Sequence, residues 1–445
     1  MSEPLRIAMF VGQCPVVSET FILRQITGLI DLGHTVDIFS DTRGGTAPVH
    51  SEVASYRLLD RTAYMDMPPE CAPWELPAWP LAGETWVPGA SESIPNWKRL
   101  VDALPALRRC LEHAPALTEE ALSVEHYGFR AQSLSALYRL NRLSALPGGY
   151  DVLHAHFGPV GESFRFAREL WGAPLVVSFH GYDFCTLPRQ QGRHMYRRLF
   201  ETADAVTVNS DFTRGRVSEL GCHVEKIRLL PMGLDPAEFP FHERTRSSNE
   251  PVRLITVARL VEIKGHEFAL RAVAHLRKKH HEFHYDIVGD GPLRKKLESL
   301  IDQLGLHHAV TLHGARDGTF IGDLMESAHI GILASVNIES DAEGQGLFLQ
   351  EAQACGLPVV ATQHGALPEG LIPDKSGFLV PEGNPEALAA QLEFLVAHPE
   401  QWPQMGRAGR RFIEERYNIH QLSEQLVGLY RETVSAFHEA RRETA

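Results

Sequence analysis

The sequence has few cysteines, no long apolar run and no excess of positive charge. Its 445 residues include six scattered cysteines without a C-x-x-C pair, and no apolar signal segment opens the chain. This pattern is typical of a reducing compartment, so we expect a cytoplasmic location. No apolar run approaches the length of a membrane-spanning helix, so any membrane association has to be peripheral, at the inner face of the cell membrane.

The charge balance argues against two further classes of function. The chain has 43 Lys and Arg against 56 Asp and Glu, a formal net charge of −13. An acidic total argues against broad nucleic-acid binding and against a polybasic membrane anchor, because both need a basic surface. The length predicts two domains, each with room for its own core.

What the sequence does contain is two alternating series of strand-like and helical segments. Strand-like runs of the first series lie at residues 5–11, 35–39, 151–154, 175–179, 205–208 and 227–230. Those of the second lie at residues 253–257, 284–288, 309–312, 330–333 and 359–362. Such alternation predicts two doubly wound, mostly parallel α/β sheets.

Two stretches do not fit the alternation. Residues 44–149 are rich in proline and tryptophan at first and helical from about 96 to 146, with no clear strand. We interpret them as a helical insertion on the first domain. The polar, proline-containing segment 235–250 is predicted to link the two domains.

The most informative stretch is residues 343–362, which read EGQGLFLQEAQACGLPVVAT. Gly344 and Gly346 flank a tight loop, and a helix is predicted from Leu347 onward. A glycine-rich loop that runs into a helix exposes unpaired N–H groups at the positive end of the helix dipole, where phosphate oxygens bind. The stretch therefore predicts an anion site.

Two carboxylates frame this loop. Glu343 precedes it and Glu351 lies in the helix, which separates their backbones by roughly 10–12 Å. A glycosidase pair has to flank a single bond, so these two acids more plausibly touch different ends of one elongated ligand. A sugar–diphosphate–ribose has that length. Glu343 would meet a sugar hydroxyl and Glu351 the ribose, while the diphosphate would bind the amides of Gly344, Gln345, Gly346 and Leu347.

The motif E-x7-E, with G-x-G-L after the first acid and A-x-A-C-G-L-P-V-V after the second, resembles the signature of retaining glycosyltransferases of family four. The run SVNIESDAEGQG is similar to the members that build bacterial exopolysaccharides of the colanic-acid type. The resemblance covers most of the chain. Gln345 departs from the phenylalanine that the family often has there.

The resemblance implies the GT-B fold, an α/β fold in which two doubly wound Rossmann-like domains face each other across a cleft. It implies an acceptor-binding domain over 1–240, with the insertion at about 44–149, and a nucleotide-sugar-binding domain over 241–418. A last helix, 419–445, is expected to return to the first domain.

Arg259 and Lys264 follow the first strand of the second series and match the family motif R-x4-K. Two cations at the edge of a cleft would balance a diphosphate and stabilise it as a leaving group. The alternative is a solvated pair at a helix start. Gly289, in the turn GDGPL at another strand end, is by itself a weak signal for the same ligand.

Four residues with a predicted role lie in the first domain. Gly12 belongs to loop 12–15 at the carboxyl end of the first strand, where open α/β sheets bind ligands. His180, in SFHGYDF, can donate to a sugar hydroxyl or phosphate, and the resemblance implies that it faces the donor sugar. Ser18 and Glu19 are either a helix cap with a first-turn acid or contacts to the acceptor.

His154 and His156 share one face of a strand in HAHFG. With no third ligand nearby in sequence, they predict a core or cleft role better than a metal site.

Four arginines recur at helical spacing in LPRQQGRHMYRRLF. They lie beside Met195, Tyr196, Leu199 and Phe200, and they are Arg189, Arg193, Arg197 and Arg198. The segment is either a peripheral membrane contact or a basic helix face over a core stripe.

Together these features predict a retaining hexosyltransferase that needs no metal and no cofactor apart from its nucleotide diphosphate sugar donor. The predicted catalytic residues are His180, Glu343, Arg259 and Lys264. The expected acceptor is a saccharide, with a polyprenyl-linked intermediate as its carrier. A GT-B epimerase or phosphorylase, or a non-catalytic nucleotide-sugar-binding subunit, would use the same donor site.

Overall fold

The structure is a computed structural model, and it describes residues 3–15, 19–44, 50–65, 96–247, 250–279, 282–338 and 341–444. The prediction for Ser18 and the proline- and tryptophan-rich part of the expected insertion, 66–95, lie outside these residues.

A seven-stranded parallel sheet organises the first domain, in the order β3-β2-β1-β4-β5-β6-β7. Its strands are β1 Arg6–Cys14, β2 Thr35–Arg43, β3 Thr62–Tyr64, β4 Val152–His156, β5 Leu175–Phe179, β6 Ala205–Val208 and β7 Ile227–Leu229. Strands β4, β5 and β6 are buried along their whole length. Helices cover both faces of such a sheet, which explains the continuous apolar runs in the sequence.

The described residues of this domain form twelve α-helices. They are α1 Thr20–Asp31, α2 Ser51–Ser55, α3 Asn96–His113, α4 Pro115–Leu122, α5 Val124–Tyr127, α6 Phe129–Gln132, α7 Ser135–Ser144, α8 Gly158–Phe164, α9 Ala167–Trp171, α10 Thr186–Gln191, α11 Arg197–Thr202 and α12 Asp211–Glu219. Helices α3 to α7 lie within the expected insertion. The expectation that 44–149 contains no strand is wrong at β3, because three half-buried residues on a sheet edge are too few to give a periodic signal.

A six-stranded parallel sheet organises the second domain, in the order β10-β9-β8-β11-β12-β13. Its strands are β8 Val252–Val257, β9 Phe283–Val288, β10 Val310–Gly314, β11 Ile330–Leu333, β12 Val359–Thr362 and β13 Gly377–Val380. The helices that follow β8 are α13 His266–Lys278, α14 Arg294–Gln303, α15 Gly318–Ser327, α16 Leu347–Ala354, α17 Pro385–Ala397, α18 Trp402–Arg416 and α19 Ile419–Thr444. The predicted pair of doubly wound sheets is confirmed.

The chain crosses between the domains twice, and the two crossings are hydrogen-bonded to each other. Leu234 N donates to Tyr417 O at 2.9 Å, and Ile419 N donates to Leu234 O at 2.9 Å. Helix α19 then lies on the first domain, where Tyr430 is fully buried in the core.

The predicted linker at 235–250 is wrong, because much of this segment is bound to the second domain. Phe239 packs into that domain's core. The guanidinium of Arg244 is buried and donates to the carbonyl of Cys355 at 2.6 Å. The polar sequence hid this arrangement, since backbone carbonyls that accept from a buried arginine leave no signal in the sequence.

The structure buries the apolar half of the predicted membrane segment. Tyr196 and Leu199 have no exposed surface, and Phe200 is 3% exposed. Of the four arginines, Arg189 lies in α10 and Arg193 in the turn that follows it. Arg197 and Arg198 begin α11, and Arg198 pairs with Glu125 at 2.8 Å. The apolar residues are therefore a core stripe. No helix in the described part of the chain is long and apolar enough to cross a bilayer.

Candidate functional site

The glycine-rich loop lies where the two domains touch. A Cβ on Gly344 would lie 2.3 Å from the carbonyl oxygen of His180, a distance that real Cβ atoms do not show. Gly346 is the N-cap residue directly before α16 and has φ +74°, a conformation that side-chain-bearing residues rarely adopt. Glycine at these positions lets the backbone of the second domain approach that of the first.

A buried ion pair stands directly before this loop. Lys264 Nζ lies 2.6 Å from Glu343 Oε1, which also accepts a hydrogen bond of 2.9 Å from Ser335 Oγ. Burial by itself raises the pKa of Glu343, but the charge and hydrogen bond of Lys264 and the hydroxyl of Ser335 outweigh it, so the pKa lies below its ordinary value. Glu343 is therefore ionised at neutral pH and can only accept hydrogen bonds.

Close backbone packing positions both predicted cations. A Cβ on Gly265, directly after Lys264, would lie 1.8 Å from the carbonyl oxygen of Ala334. Gly289 serves the other cation in the same way, since its Cβ would lie 2.0 Å from the carbonyl oxygen of Ala258, next to Arg259. Gly289 thus contacts the turn that carries Arg259.

Arg259 lies in the same charged cluster. Burial lowers the pKa of its guanidinium, while the charges of Glu343 and Asp341 act in the opposite direction. Arg259, Lys264 and Glu343 are thus brought together beside the start of α16. That arrangement supplies two cations next to the N-terminal amides of a helix.

A second histidine orients Glu343 through its backbone. Glu343 N donates to His364 Nε2 at 3.3 Å, and His364 Nδ1 lies 2.8 Å from Glu382 Oε2. Because Nε2 accepts, Nδ1 carries the proton and donates to Glu382. Glu382 was not predicted from the sequence, because it lies beyond the last recognised strand and matches no motif.

Gln345 is held by the first chain crossing. Met232 N donates to Gln345 Oε1 at 2.7 Å, and Gln345 Nε2 donates to Met232 O at 2.7 Å. Phenylalanine, which the family often has here, could make neither bond. The side chain of Gln345 is therefore engaged with Met232, which leaves its backbone amide as the group for the predicted anion contact.

His180 lies on the first-domain side of the same contact. Its Nε2 is 3.0 Å from His156 Nδ1, and its Nδ1 is buried without a hydrogen-bond partner. Burial, assisted by His154, lowers the pKa of His180 to about 3. The imidazole is therefore neutral at physiological pH, and it can offer a ligand a hydrogen bond but no charge.

Both ring nitrogens of His154 have hydrogen-bond partners within the core. His154 contacts the hydroxyl of Tyr430 at 2.6 Å and that of Ser178 at 2.7 Å. Among the described residues, no group of three or more His, Cys, Asp and Glu side chains could hold a metal ion.

Gly12 differs from its prediction. It lies within β1, which continues to Cys14, so it does not belong to a loop after the strand. A Cβ there would only reach Val160 Cγ2 at 3.7 Å, an ordinary contact. No close backbone approach therefore requires glycine at this position.

Glu351 and Glu369 each contact the first domain. Glu351 Oε1 lies 3.9 Å from Arg24 Nη1, and burial raises the pKa of this acid while Arg24 opposes the shift. Glu369 accepts hydrogen bonds of 2.9 Å from the backbone N–H groups of Asp211 and Phe212 at the start of α12. Neither Arg24 nor the start of α12 was predicted as a partner, because both contacts form only when the domains meet.

Glu19 occupies the N-cap position of α1, but its side chain makes no capping hydrogen bond. Burial raises the pKa of its carboxyl to about 7. Glu19 therefore lies just before the helix and not in its first turn. The cap expected of Ser18 lies outside the described residues, and the acceptor contact stays a prediction.

Comparison with known proteins assigns the family. Residues 239–412 match the profile of the family described as Glycosyl transferases group 1, and residues 18–233 match that of the Glycosyl transferase 4-like domain. WcaL of Salmonella typhimurium, which carries the name of a colanic acid biosynthesis glycosyltransferase, is 31% identical over 432 residues, 96% of this chain and 99% of WcaL. The chain belongs to this family of glycosyltransferases.

The glycosyltransferase has another relative in AmsK of Erwinia amylovora, named as an amylovoran biosynthesis glycosyltransferase. AmsK is 30% identical over 431 residues, 95% of this chain and 98% of AmsK. The structure of Anabaena Alr3699/HepE in complex with UDP and glucose superposes with a TM-score of 0.66 at 17% identity, covering 97% of this chain and all of that one. The glycosyltransferase WaaG, involved in lipopolysaccharide biosynthesis, gives 0.60 at 15% identity, covering 95% and 99%. The GT-B fold is thereby confirmed.

We expect Gly344→Ala to lower turnover of this glycosyltransferase by on the order of 10- to 100-fold, because the new methyl group would force the glycine-rich loop away from His180. Gly322→Ala in α15 is the matched control, since a Cβ there meets no atom within 4 Å. Steady-state kinetics on both variants, with folding checked by circular dichroism, decide the matter. Equal turnover in the two variants would contradict the close approach.

Proposed function

We propose that this glycosyltransferase moves a hexosyl unit from a nucleotide diphosphate sugar, with retention of configuration, to a lipid-linked saccharide in exopolysaccharide or cell-surface glycan synthesis. The names of WcaL and AmsK support the pathway class, and the UDP complex of HepE supports the donor class. The observation that carries the proposal is the cluster of Arg259, Lys264 and ionised Glu343 at the start of α16.

The cluster suits an elongated donor. Arg259, Lys264 and the amides at the start of α16 would hold the diphosphate, with the dipole of the helix adding to their charge. Glu343 and His180 would accept from and donate to the sugar hydroxyls. Glu351, which lies about one turn after the start of α16, would accept from the ribose. For Gly12, the only support for a role in donor binding is its position near the carboxyl end of β1.

The chemistry requires the diphosphate to leave and the acceptor to arrive on the same face of the sugar. The bond between the anomeric carbon and the diphosphate oxygen breaks, and the acceptor oxygen forms the new bond. A departing diphosphate oxygen takes the proton of the acceptor hydroxyl. Arg259 and Lys264 stabilise the leaving charge, so we propose that no metal or cofactor is needed.

Product analysis tests this proposal. We expect a panel of nucleotide sugars, first screened by thermal shift, to contain a donor whose sugar appears on a saccharide acceptor in the configuration of the donor linkage. Magnesium and a chelator should leave the rate unchanged. Isomerised or phosphorolysed donor would favour an epimerase or phosphorylase, and binding without any turnover would favour a non-catalytic subunit. A strong rate dependence on magnesium would refute the metal-free mechanism.

The two acids are expected to separate binding from turnover. Glu351→Ala should weaken nucleoside diphosphate binding, because the ribose loses a charged acceptor that contributes about 1.5–3 kcal/mol. Glu343→Ala should retain that binding, since its loss frees Lys264 for the diphosphate, while turnover falls. Calorimetry measures the binding and steady-state kinetics the turnover of the two variants. Unchanged nucleoside diphosphate binding in folded Glu351→Ala would exclude Glu351 from the ribose contact.

Arg259→Ala should lower turnover by orders of magnitude, with incomplete rescue by Arg259→Lys. Steady-state kinetics measure this effect.

We also propose a peripheral contact with anionic lipid at the inner face of the cell membrane, where a lipid-linked acceptor would lie. Positive charge comes from the exposed arginines of the segment LPRQQGRHMYRRLF, which are Arg189, Arg193 and Arg197. An apolar surface is available on α3, whose side chains Leu100, Leu104 and Leu111 are 59%, 56% and 47% exposed and recur at helical spacing. Arg108 and Arg109 lie on the same helix.

Vesicle co-sedimentation tests the membrane contact. We expect binding to anionic more than to neutral vesicles, and loss of binding in high salt. Changing Leu100, Leu104 and Leu111 to Ser should abolish binding. The control changes Leu32 and Leu59 to Ser, which are 41% and 49% exposed elsewhere on the domain. Equal recovery in the supernatant throughout, or an α3 variant that alters only the oligomeric state in light scattering, would contradict the proposal.

A further inference from the structure

One arginine of the first domain belongs to the site without an assigned role. Arg24 of α1 reaches α16, where its Nη1 lies 3.9 Å from Glu351 Oε1. That nitrogen is buried and has no hydrogen-bond partner. The other terminal nitrogen, Nη2, donates to Glu238 Oε2 at 3.3 Å, and the guanidinium carbon lies 5.6 Å from the ring centre of Phe239. The guanidinium is therefore held in place with one buried donor left over beside Glu351.

The space between Arg24 and Glu351 selects for a particular chemistry. A guanidinium nitrogen can only donate. Burial raises the pKa of Glu351 and the charge of Arg24 opposes that shift, and in its ionised form the carboxylate can only accept. Their 3.9 Å separation is too long for a direct hydrogen bond. A group that satisfies both has to accept from Arg24 and donate to Glu351, which a hydroxyl does. A phosphate could accept from Arg24, but the carboxylate would repel it.

We propose that Arg24 binds the ribose hydroxyls of the donor nucleotide from the first domain, opposite Glu351. This inference rests on the proposed function, in which Glu351 contacts the ribose. A vicinal diol offers two hydroxyls, so one can accept from Arg24 while both donate to the carboxylate. The ribose is then recognised jointly by the two domains.

The position of Arg24 on α1 strengthens the inference. Phe21 lies three residues earlier, so both side chains lie on one face of the helix. The ring of Phe21 is 4.7 Å from that of His180, at the contact between the domains. One face of α1 therefore borders the site from the proposed sugar contact to the proposed ribose contact. Because Arg24 and Glu351 belong to different domains, opening the cleft would separate them and remove half of the ribose contact.

Calorimetry with UDP, GDP, ADP and CDP and their 2′,3′-dideoxy counterparts tests the role of Arg24. We expect the wild-type protein to bind at least one ribonucleotide more tightly than its dideoxy form. Arg24→Ala should reduce that preference by about tenfold while affinity for the dideoxy form stays within about twofold. Arg24→Lys should restore part of the preference, because it keeps the charge without the fork. Arg271→Ala, which removes an exposed arginine paired with Glu267 on α13, should change nothing.

The outcomes separate this inference from the proposed function. An unchanged preference in Arg24→Ala, together with a reduced preference in Glu351→Ala, would overturn the role of Arg24 and leave the donor site standing. An equal loss of affinity for both forms in Arg24→Ala would also overturn it, since the arginine would then act through charge or domain packing alone. If the wild-type protein binds none of the four, or shows no preference, the proposed donor site itself fails.

Discussion

The site depends on one buried ion pair, that between Lys264 and Glu343. A carboxylate that is 8% exposed is stable in its ionised form only if charge and hydrogen bonds compensate for lost water. Lys264 and Ser335 provide that compensation on the side-chain oxygen. His364 accepts from the backbone amide of the same residue, and it is fixed in turn by Glu382. The loops that carry Lys264, Glu343 and His364 are thereby held together at the start of α16.

The same pair explains why glycines surround the site. Gly265 lets the turn of Lys264 reach the backbone of Ala334, and Gly365 packs so closely against Glu343 that its Cβ would lie 2.5 Å from the carbonyl oxygen. A side chain at either position would push Lys264 and Glu343 apart, beyond the distance that a hydrogen bond allows. Glycines outside the predicted phosphate loop are thus needed to hold the ion pair together.

The contacts between domains come from elements far apart in sequence. Gln345 bonds the backbone of Met232, Gly344 meets the carbonyl of His180, and Glu369 caps α12. Each contact starts from a residue of the loops that surround the ion pair. Movement of the second domain would therefore reach the proposed donor site directly, which is the behaviour expected where two domains share one ligand.

The sequence by itself determined the fold class and most of the strands. Continuous apolar runs separated by helical periodicity can form little else than parallel sheets covered on both faces, so β1, β5 and β12 were recognisable without tertiary information. Local chemistry also indicated the loop at Gly344 and the cations at Arg259 and Lys264, because glycine and charge patterns are read along the chain.

Only the tertiary structure decided which groups meet. The pairing of Lys264 with Glu343 spans 79 positions, and the approach of Arg24 to Glu351 joins two domains. The edge strand β3 and the crossing at Leu234 were likewise invisible in the sequence. The burial of Tyr196 decided between two alternatives that the sequence left open. Local patterns carry propensity and periodicity, but partners at long range are chosen by packing, which no single segment encodes.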